Sequence, residues 1–335
     1  VDLTGNWALL GSRKGLVLVD LTSPYQPAHT LAHQSRVDVG VVRWNPHYSH
    51  RGQAVSASNT NVLVWSVEDE GRPLLTTLRK HTRAVTDLSW SPLHPSVLAT
   101  SSIDSSVLLW DTRAPHAPIQ TFRAPHHGAQ QVEWNRVNHA LLASAHEKDI
   151  RVWDVRKASG DGGGGGGAAA AAATAHTQEI TGLDWSYASE SLLATCSNDK
   201  TVKLWDVATA GNSGGAIMQR ANPLQRVLFA PFGQAVITTS RGIGEQVGSV
   251  WEKEAAGGRA IGGSPFSKMC SGSASMSRPP YWFVHVHSFE GPRGEVVGAA
   301  FRVVGDSLFQ IVSLDRLQHL RLHRIRPSYL RACGH

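Results

Sequence analysis

The sequence predicts an all-β chain folded as a seven-bladed β-propeller, on three observations. An aromatic series repeats at a fixed offset, the apolar runs are short and strand-like, and length variation is confined to low-complexity tracts. The 335 residues include 11 tryptophans. One aromatic series runs Trp44, Trp90, Trp134, Trp185, Phe229, Phe301, and a second runs Val19, Trp65, Trp110, Trp153, Trp205, Trp251, Leu322. The offset from first series to second stays between 19 and 22 residues, whereas the period of the second varies from 43 to 71. A constant offset marks a rigid unit of packed strands; a variable period marks loops that lengthen without disturbing it.

The units fall at roughly 1–32, 33–80, 81–125, 126–175, 176–222, 223–288 and 289–335. Within them, AVTDLSW, SVLAT and SVLLW have the apolar and β-branched content of strands, separated by turn residues. Four short strands make a sheet too small to bury its own faces, so neighbouring sheets must stack, and a ring leaves the fewest free edges. The two long steps coincide with a Gly/Ala tract at about 158–174 and a Gly/Ser-rich tract at about 253–280, both read as flexible surface insertions. The whole of 1–335 is then a single domain. Its start at Val1 suggests a piece of a longer protein.

The dipeptides Trp110-Asp111, Trp153-Asp154 and Trp205-Asp206 close three of the units, with Trp65-Ser66, Trp251-Glu252, Val19-Asp20 and Leu322-His323 as drifted versions. His81 and His176 each precede their Trp by 29 residues, Thr100 and Thr195 by ten, Asp104 and Asp199 by six. In this spacing the chain resembles WD40 repeats, whose buried His–Asp–Ser/Thr–Trp networks imply the sets His81, Thr100, Asp104, Trp110 and His176, Thr195, Asp199, Trp205. A buried Asp needs donors, and a satisfied network fixes one blade geometry. Asn59 reads as a stand-in for the Asp in the second unit. The first, sixth and seventh units lack the set, so their blades are expected to be softer.

The segments QSRVDVGVVRWNPH (34–47), QVEWNRVNHALLASAHEKDIRVWDVRK (131–157), ITGLDWSYASESLLATCSNDKTVKLWD (180–206) and RVLFAPFGQAVITTS (226–240) are similar to the propeller domains of the WD repeat-containing protein 59 family. That resemblance covers residues 3 to 325 apart from the insertions. It implies a non-catalytic scaffold subunit of the SEA/GATOR assembly, which controls the TORC1 kinase in response to amino acids at the lysosome or vacuole. It also implies other WD-repeat subunits as partners, and peripheral membrane association through the complex. Such propellers close by lending an N-terminal strand to the last blade. Here the chain starts near the end of the first blade's inner strand, so the closing strand is expected to be absent and blade 7 to show an edge unless another chain supplies it.

His–Asp–Thr sets also have the composition of a hydrolase triad. A Trp at fixed spacing completes each, and a second copy stands in another unit, so the structural reading is the one adopted and no catalytic residue is assigned. His285 and His287 share a strand face that could suit a metal, but no third ligand is apparent; the segment reads as an outer strand, and no metal or other cofactor is expected. GIGEQVG (242–248) has the wrong glycine spacing for a dinucleotide loop and reads as a turn. Arg113 and Arg156 give WDTR and WDVR, resembling adaptor-docking motifs of cullin ubiquitin-ligase substrate receptors; the plainer reading pairs each Arg with a turn carboxylate. Arg316, Arg321, Arg324, Arg326 and Arg331 thicken the positive charge near the end. Of these, Arg321 and Arg324 join Arg113 and Arg156 as candidate partner contacts.

The formal net charge of +6 is too small and scattered to argue for nucleic acid. No small-molecule substrate is expected. No apolar run approaches a bilayer span of about 20 residues. Three widely spaced cysteines, Cys196, Cys270 and Cys333, form no CxxC motif and fit an intracellular, reducing compartment.

Overall fold

The structure, a computed structural model, describes the chain except residues 3, 14, 24, 27–28, 34–36, 70, 125–126, 158–170, 209–216, 220–221, 232–234, 241–247, 255–281, 290–295, 305–307, 316–319 and 325–335. For 171–173, 217–218, 248–254, 282–289, 296–298, 302–304, 308–309, 315 and 324 it describes the backbone alone. Among the described residues the strands form seven antiparallel sheets in chain order, here called blades 1 to 7. The only helical element among them is one 3₁₀ turn, Tyr48–His50.

Blade 1 holds Trp7–Gly11, Gly15–Asp20 and His29–Ala32. Blade 2 holds Val41–Trp44, Gln53–Ser58, Asn61–Ser66 and Leu74–Arg79; blade 3 holds Val85–Trp90, Val97–Ser102, Ser106–Asp111 and Gln120–Arg123. Blade 4 holds Ala129–Trp134, Leu141–His146, Asp149–Asp154 and Ala171–Thr174; blade 5 holds Ile180–Trp185, Leu192–Ser197, Thr201–Asp206 and Ile217–Gln219. Blade 6 holds Leu224–Phe229, Ala235–Ser240, Gly248–Glu254 and Trp282–Phe289; blade 7 holds Val296–Val304, Leu308–Asp315 and Leu320–Arg324. In the four-stranded blades the strands run from inner to outer in chain order.

In blades 2 to 6 the first aromatic series ends the inner strands and the second lies on the third strands; Phe301 stands within the inner strand of blade 7, and Val19 is on the second of the three described strands of blade 1. Trp90, Trp110, Trp134, Trp153 and Trp185 are all buried. Cores form between blades rather than within them: Val55, Val64 and Leu78 of blade 2 pack with Leu88, Leu98 and Trp110 of blade 3. Ala8 and Leu21 of blade 1 meet Val312 of blade 7, so the first and last sheets are neighbours and the stack returns on itself. Among the described residues, no strand from the start of the chain pairs with blade 7, whose outermost strand is Leu320–Arg324.

Side chains on the inner strands stitch adjacent blades. Thr86 Oγ1 donates to the Ala129 carbonyl at 2.7 Å, and its counterpart Thr181 donates to the Leu224 carbonyl at 2.7 Å. In the WNPH segment, Asn45 Nδ2 donates to the Pro95 carbonyl at 2.9 Å and His47 Nε2 bonds the Ser91 carbonyl at 2.7 Å, clamping blade 2 to blade 3. Gly182 is required where blades 5 and 6 approach: a Cβ there would sit 2.8 Å from the Val227 amide nitrogen.

The Gly/Ala tract does not run outside the sheet to its end. Ala171–Thr174 pairs with Asp149–Val152 as the outer strand of blade 4, because ladder pairing overrides the weak strand preference of alanine. Gly248–Glu254 likewise takes the first residues of the second tract into blade 6. The remainders of both tracts, most of the 242–248 segment, Cys270 and Cys333 lie outside the described residues. His285 and His287 sit on the outer strand of blade 6, opposite Trp251 and Val250; their side chains are not among those described.

Candidate functional site: buried networks and a charged channel

The two His–Thr–Asp–Trp sets are assembled by the same local device. The second and third strands of blades 3 and 5 are joined by turns containing Asp104 and Asp199, followed by Ser105 and Lys200 at φ 68°. In blade 3, His81 Nδ1 lies 2.9 Å from Asp104 Oδ2 and Nε2 lies 2.8 Å from Thr100 Oγ1, to which Trp110 Nε1 donates at 3.1 Å. Blade 5 repeats it: His176 Nδ1 to Asp199 at 2.9 Å, Nε2 to Thr195 at 2.8 Å, Trp205 Nε1 to Thr195 at 2.9 Å. A single donor direction satisfies every atom: indole N–H to hydroxyl, hydroxyl to a neutral Nε2, Nδ1–H to carboxylate. Burial pushes both imidazoles below their ordinary range, more than the carboxylates raise them, consistent with that neutral tautomer. Burial alone would lift Asp199, but bonds from Thr201, Thr177 and His176 hold it at about 2.

Thr100 and Thr195 are fully enclosed, and each hydroxyl is committed on both sides. A hydrolase nucleophile must be reachable beside its base, and neither hydroxyl is. These sets fix the blades.

Two further networks escaped the spacing rule. In blade 4, Ser144 Oγ accepts from Trp153 Nε1 at 2.8 Å and bonds Nε2 of His146, two residues along the same strand, at 2.8 Å. His146 is buried, which pushes its imidazole down to about 4. In blade 2, Trp65 Nε1 donates to Ser56 Oγ at 2.9 Å. Asn59 does not take the Asp position: the turn there has two residues, and Asn59 occupies its left-handed site at φ 53°, which asparagine tolerates well. Glu147 does the same in blade 4 at φ 53°. Blades 2 and 4 therefore hold partial networks beside the complete ones of blades 3 and 5.

Arg113 and Arg156 fold back on their own dipeptides. Arg113 Nε and Nη2 donate to Asp111 at 3.0 and 2.6 Å; Arg156 makes the same fork to Asp154 at 3.0 and 2.8 Å. Both arginines thus make the turn pairing of the plainer reading. Arg321 is exposed on the outermost strand of blade 7, and the Arg324 side chain lies outside the described residues, as do Arg316, Arg326 and Arg331.

A third arrangement was not read from the sequence. The inner strands enclose a central channel, a cavity of about 600 Å³ lined in turn by residues of blades 1, 2, 4, 5, 6 and 7. Inner strands of blades 3 to 7 each carry a bulge after their first residue, immediately before Asp87, Gln131, Gly182, Arg226 and Gly298. Bulges re-aim the side chains that follow. Arg43 meets Asp87 at 3.0 Å and donates to the Leu88 carbonyl at 2.9 Å. Arg136 meets Asp184 at 2.8 Å and Glu133 at 3.4 Å, and stacks 4.3 Å over the Tyr187 ring. Burial raises the Glu133 carboxyl to about 7; Arg136 and Arg43 oppose this, and Asp184 and Asp87 reinforce it. Among the described residues no cluster of three metal-ligating side chains occurs.

Seven stacked sheets, inner strands around a channel, and indole-anchored networks on third strands define a class: this chain belongs to the WD-repeat β-propellers. The family model for the WD domain, G-beta repeat, matches residues 72–111 and 171–206. The crystal structure of the mitotic checkpoint complex contains a chain of the same fold, with a TM-score of 0.73 at 17% identity, covering 97% of this chain and 86% of that one.

Within the class, the chain is similar to GATOR2 complex protein WDR59. It is 30% identical to the mouse protein over 336 residues, 100% of this chain and 30% of that one, and 37% identical to the human protein over 201 residues, 60% and 20% respectively. Maintenance of telomere capping protein 5 of Saccharomyces cerevisiae is 33% identical over 235 residues, 70% of this chain and 20% of its own length. The chain spans only 20% to 30% of the length of these three relatives.

Proposed function

We propose that this propeller is a non-catalytic interaction scaffold in a complex of GATOR2 type, acting in TORC1 signalling in response to amino acids. Its partners on this reading are other WD-repeat subunits, and it sits at the lysosomal or vacuolar membrane through the complex. The observation that carries the proposal is the likeness to WDR59 running the full length of the chain. The enclosed, doubly bonded hydroxyls of Thr100 and Thr195 support the non-catalytic part.

Affinity purification of the tagged full-length protein from its own cells, with mass spectrometry, tests it. Co-purification of other WD-repeat subunits is expected, together with altered TORC1 substrate phosphorylation on amino-acid withdrawal when the gene is deleted. Recovery of a cullin adaptor instead, abolished by replacing Arg113 and Arg156 with Ala, would overturn it in favour of a ubiquitin-ligase receptor.

A further inference from the structure

In a four-stranded antiparallel blade, the inner-to-second and third-to-outer connections emerge on one face of the ring, and the tight second-to-third turns on the other. The inner-to-second connections of blades 2, 3, 4 and 5 carry Tyr48, Leu93, Val137 and Tyr187, exposed by 76%, 53%, 44% and 43%. The opposite turns hold Asn59, Asp104, Glu147 and Lys200. Exposed apolar side chains repeated at one structural position in four successive blades form an arc on one face of the ring, with Tyr187 at the channel itself, and offer a partner several anchors on that face. Tyr187 and Arg136 belong both to this arc and to the channel wall.

Inside the channel the charges are unevenly matched. Arg43 and Arg136 are neutralised by Asp87, Asp184 and Glu133. Arg226, also on the wall and partly exposed, makes no side-chain ion pair or hydrogen bond among the described residues. Burial pushes its guanidinium below the ordinary range, with Asp87 attracting it and Arg43 repelling it from a distance. A partly exposed guanidinium facing the channel is available to a ligand, and a planar carboxylate is the group whose geometry matches it best.

We propose that an acidic segment of a partner protein docks on this face, its apolar side chains against Tyr48, Leu93, Val137 and Tyr187, with one carboxylate entering the channel to reach Arg226. The inference rests on the scaffold reading above and adds to it the face and the chemistry recognised.

The test uses the full-length protein in its cells, with the photo-cross-linker p-benzoylphenylalanine placed at Tyr187 and, separately, at Lys148 on the opposite face. Cross-linking from position 187 to an Asp- or Glu-containing segment of a co-purifying subunit is expected, with little from 148. Arg226→Gln should cut the yield about tenfold, the loss of one charge-assisted contact, while Arg226→Lys retains most of it. The melting temperature of the purified propeller should not fall on either change, since an unpartnered cation is being removed. Cross-links from 148 alone, an acid-free segment, or equal yields from the Gln and Lys variants would each overturn this proposal and leave the scaffold reading intact. Absence of any co-purifying subunit would overturn both.

Discussion

Replacing Thr195 with Val keeps the shape of the side chain and removes one oxygen, and the network around it dictates the cost. That oxygen accepts from Trp205 Nε1 at 2.9 Å and bonds His176 Nε2 at 2.8 Å in a position with no exposure to solvent. Thr195→Val therefore strands one donor and one acceptor in the interior. Each unsatisfied group costs about 1–3 kcal/mol, so the variant should lose about 2–6 kcal/mol. Urea denaturation followed by tryptophan fluorescence measures it. Adding Trp205→Phe removes the stranded donor, so Thr195→Val should cost at least about 1 kcal/mol less in that background. A loss below about 0.5 kcal/mol, or strictly additive losses in the double variant, would show that the hydroxyl does not couple the two rings.

Acid sensitivity should follow from the buried imidazoles. His146 lies near 4 in the folded chain against an ordinary 6.5, so the unfolded chain binds the extra proton between those values; its contribution is present above pH 6.5 and about 3 kcal/mol is lost by pH 4. Glu133, raised to about 7, acts in the opposite sense over pH 7 to 4.5. Unfolding curves at pH 7, 6 and 5 should show a weaker acid loss in His146→Gln and a stronger one in Glu133→Gln; identical slopes would refute the assignment. Gly182→Val should destabilise blades 5 and 6 by several kcal/mol or prevent folding, because the added atoms meet the buried Cys196 sulfur and also the backbone of Val227 and Arg226, which cannot swing aside; an unchanged melting temperature would contradict it. Arg113→Ala with Arg156→Ala should leave both the melting temperature and subunit recovery unchanged, since each arginine is itself exposed and pairs only with the aspartate of its own dipeptide.

Blade boundaries were legible because large aromatics at a fixed offset survive drift elsewhere in the repeat. Trp110 and Trp205 identify the third strand, and counting back 29, ten and six residues reaches His81, Thr100, Asp104 and their counterparts. The same counting fails in blade 4, where position 124 is Ala and the imidazole comes instead from His146 inside the second strand. It misleads in blade 2 as well, where a shorter turn turns Asn59 from a carboxylate substitute into a left-handed turn residue. The channel charges were hidden for a different reason. Arg43, Glu133 and Asp184 each stand one residue before an inner-strand aromatic, a regularity visible in the sequence. Which strand face looks into the ring, however, depends on bulges that no local pattern announces. Low-complexity composition obscured Ala171–Thr174, whose strand state is imposed by its partner Asp149–Val152.

Both long tracts fall in one kind of connection, between a third strand ending at Asp154 or Glu254 and an outer strand beginning at Ala171 or Trp282. Lengthening a connection costs only about 0.6 kcal/mol per doubling, so these two positions are ports at which foreign sequence can be spliced without unthreading a blade. Lys157, just past the third strand of blade 4, lies at the same end of the blade as the inner-to-second connections, so a fluorophore or small tag grafted beside it would stand on the face that carries Tyr187. The position tolerant of insertion is thus also the one from which occupancy of that face could be watched by energy transfer in living cells.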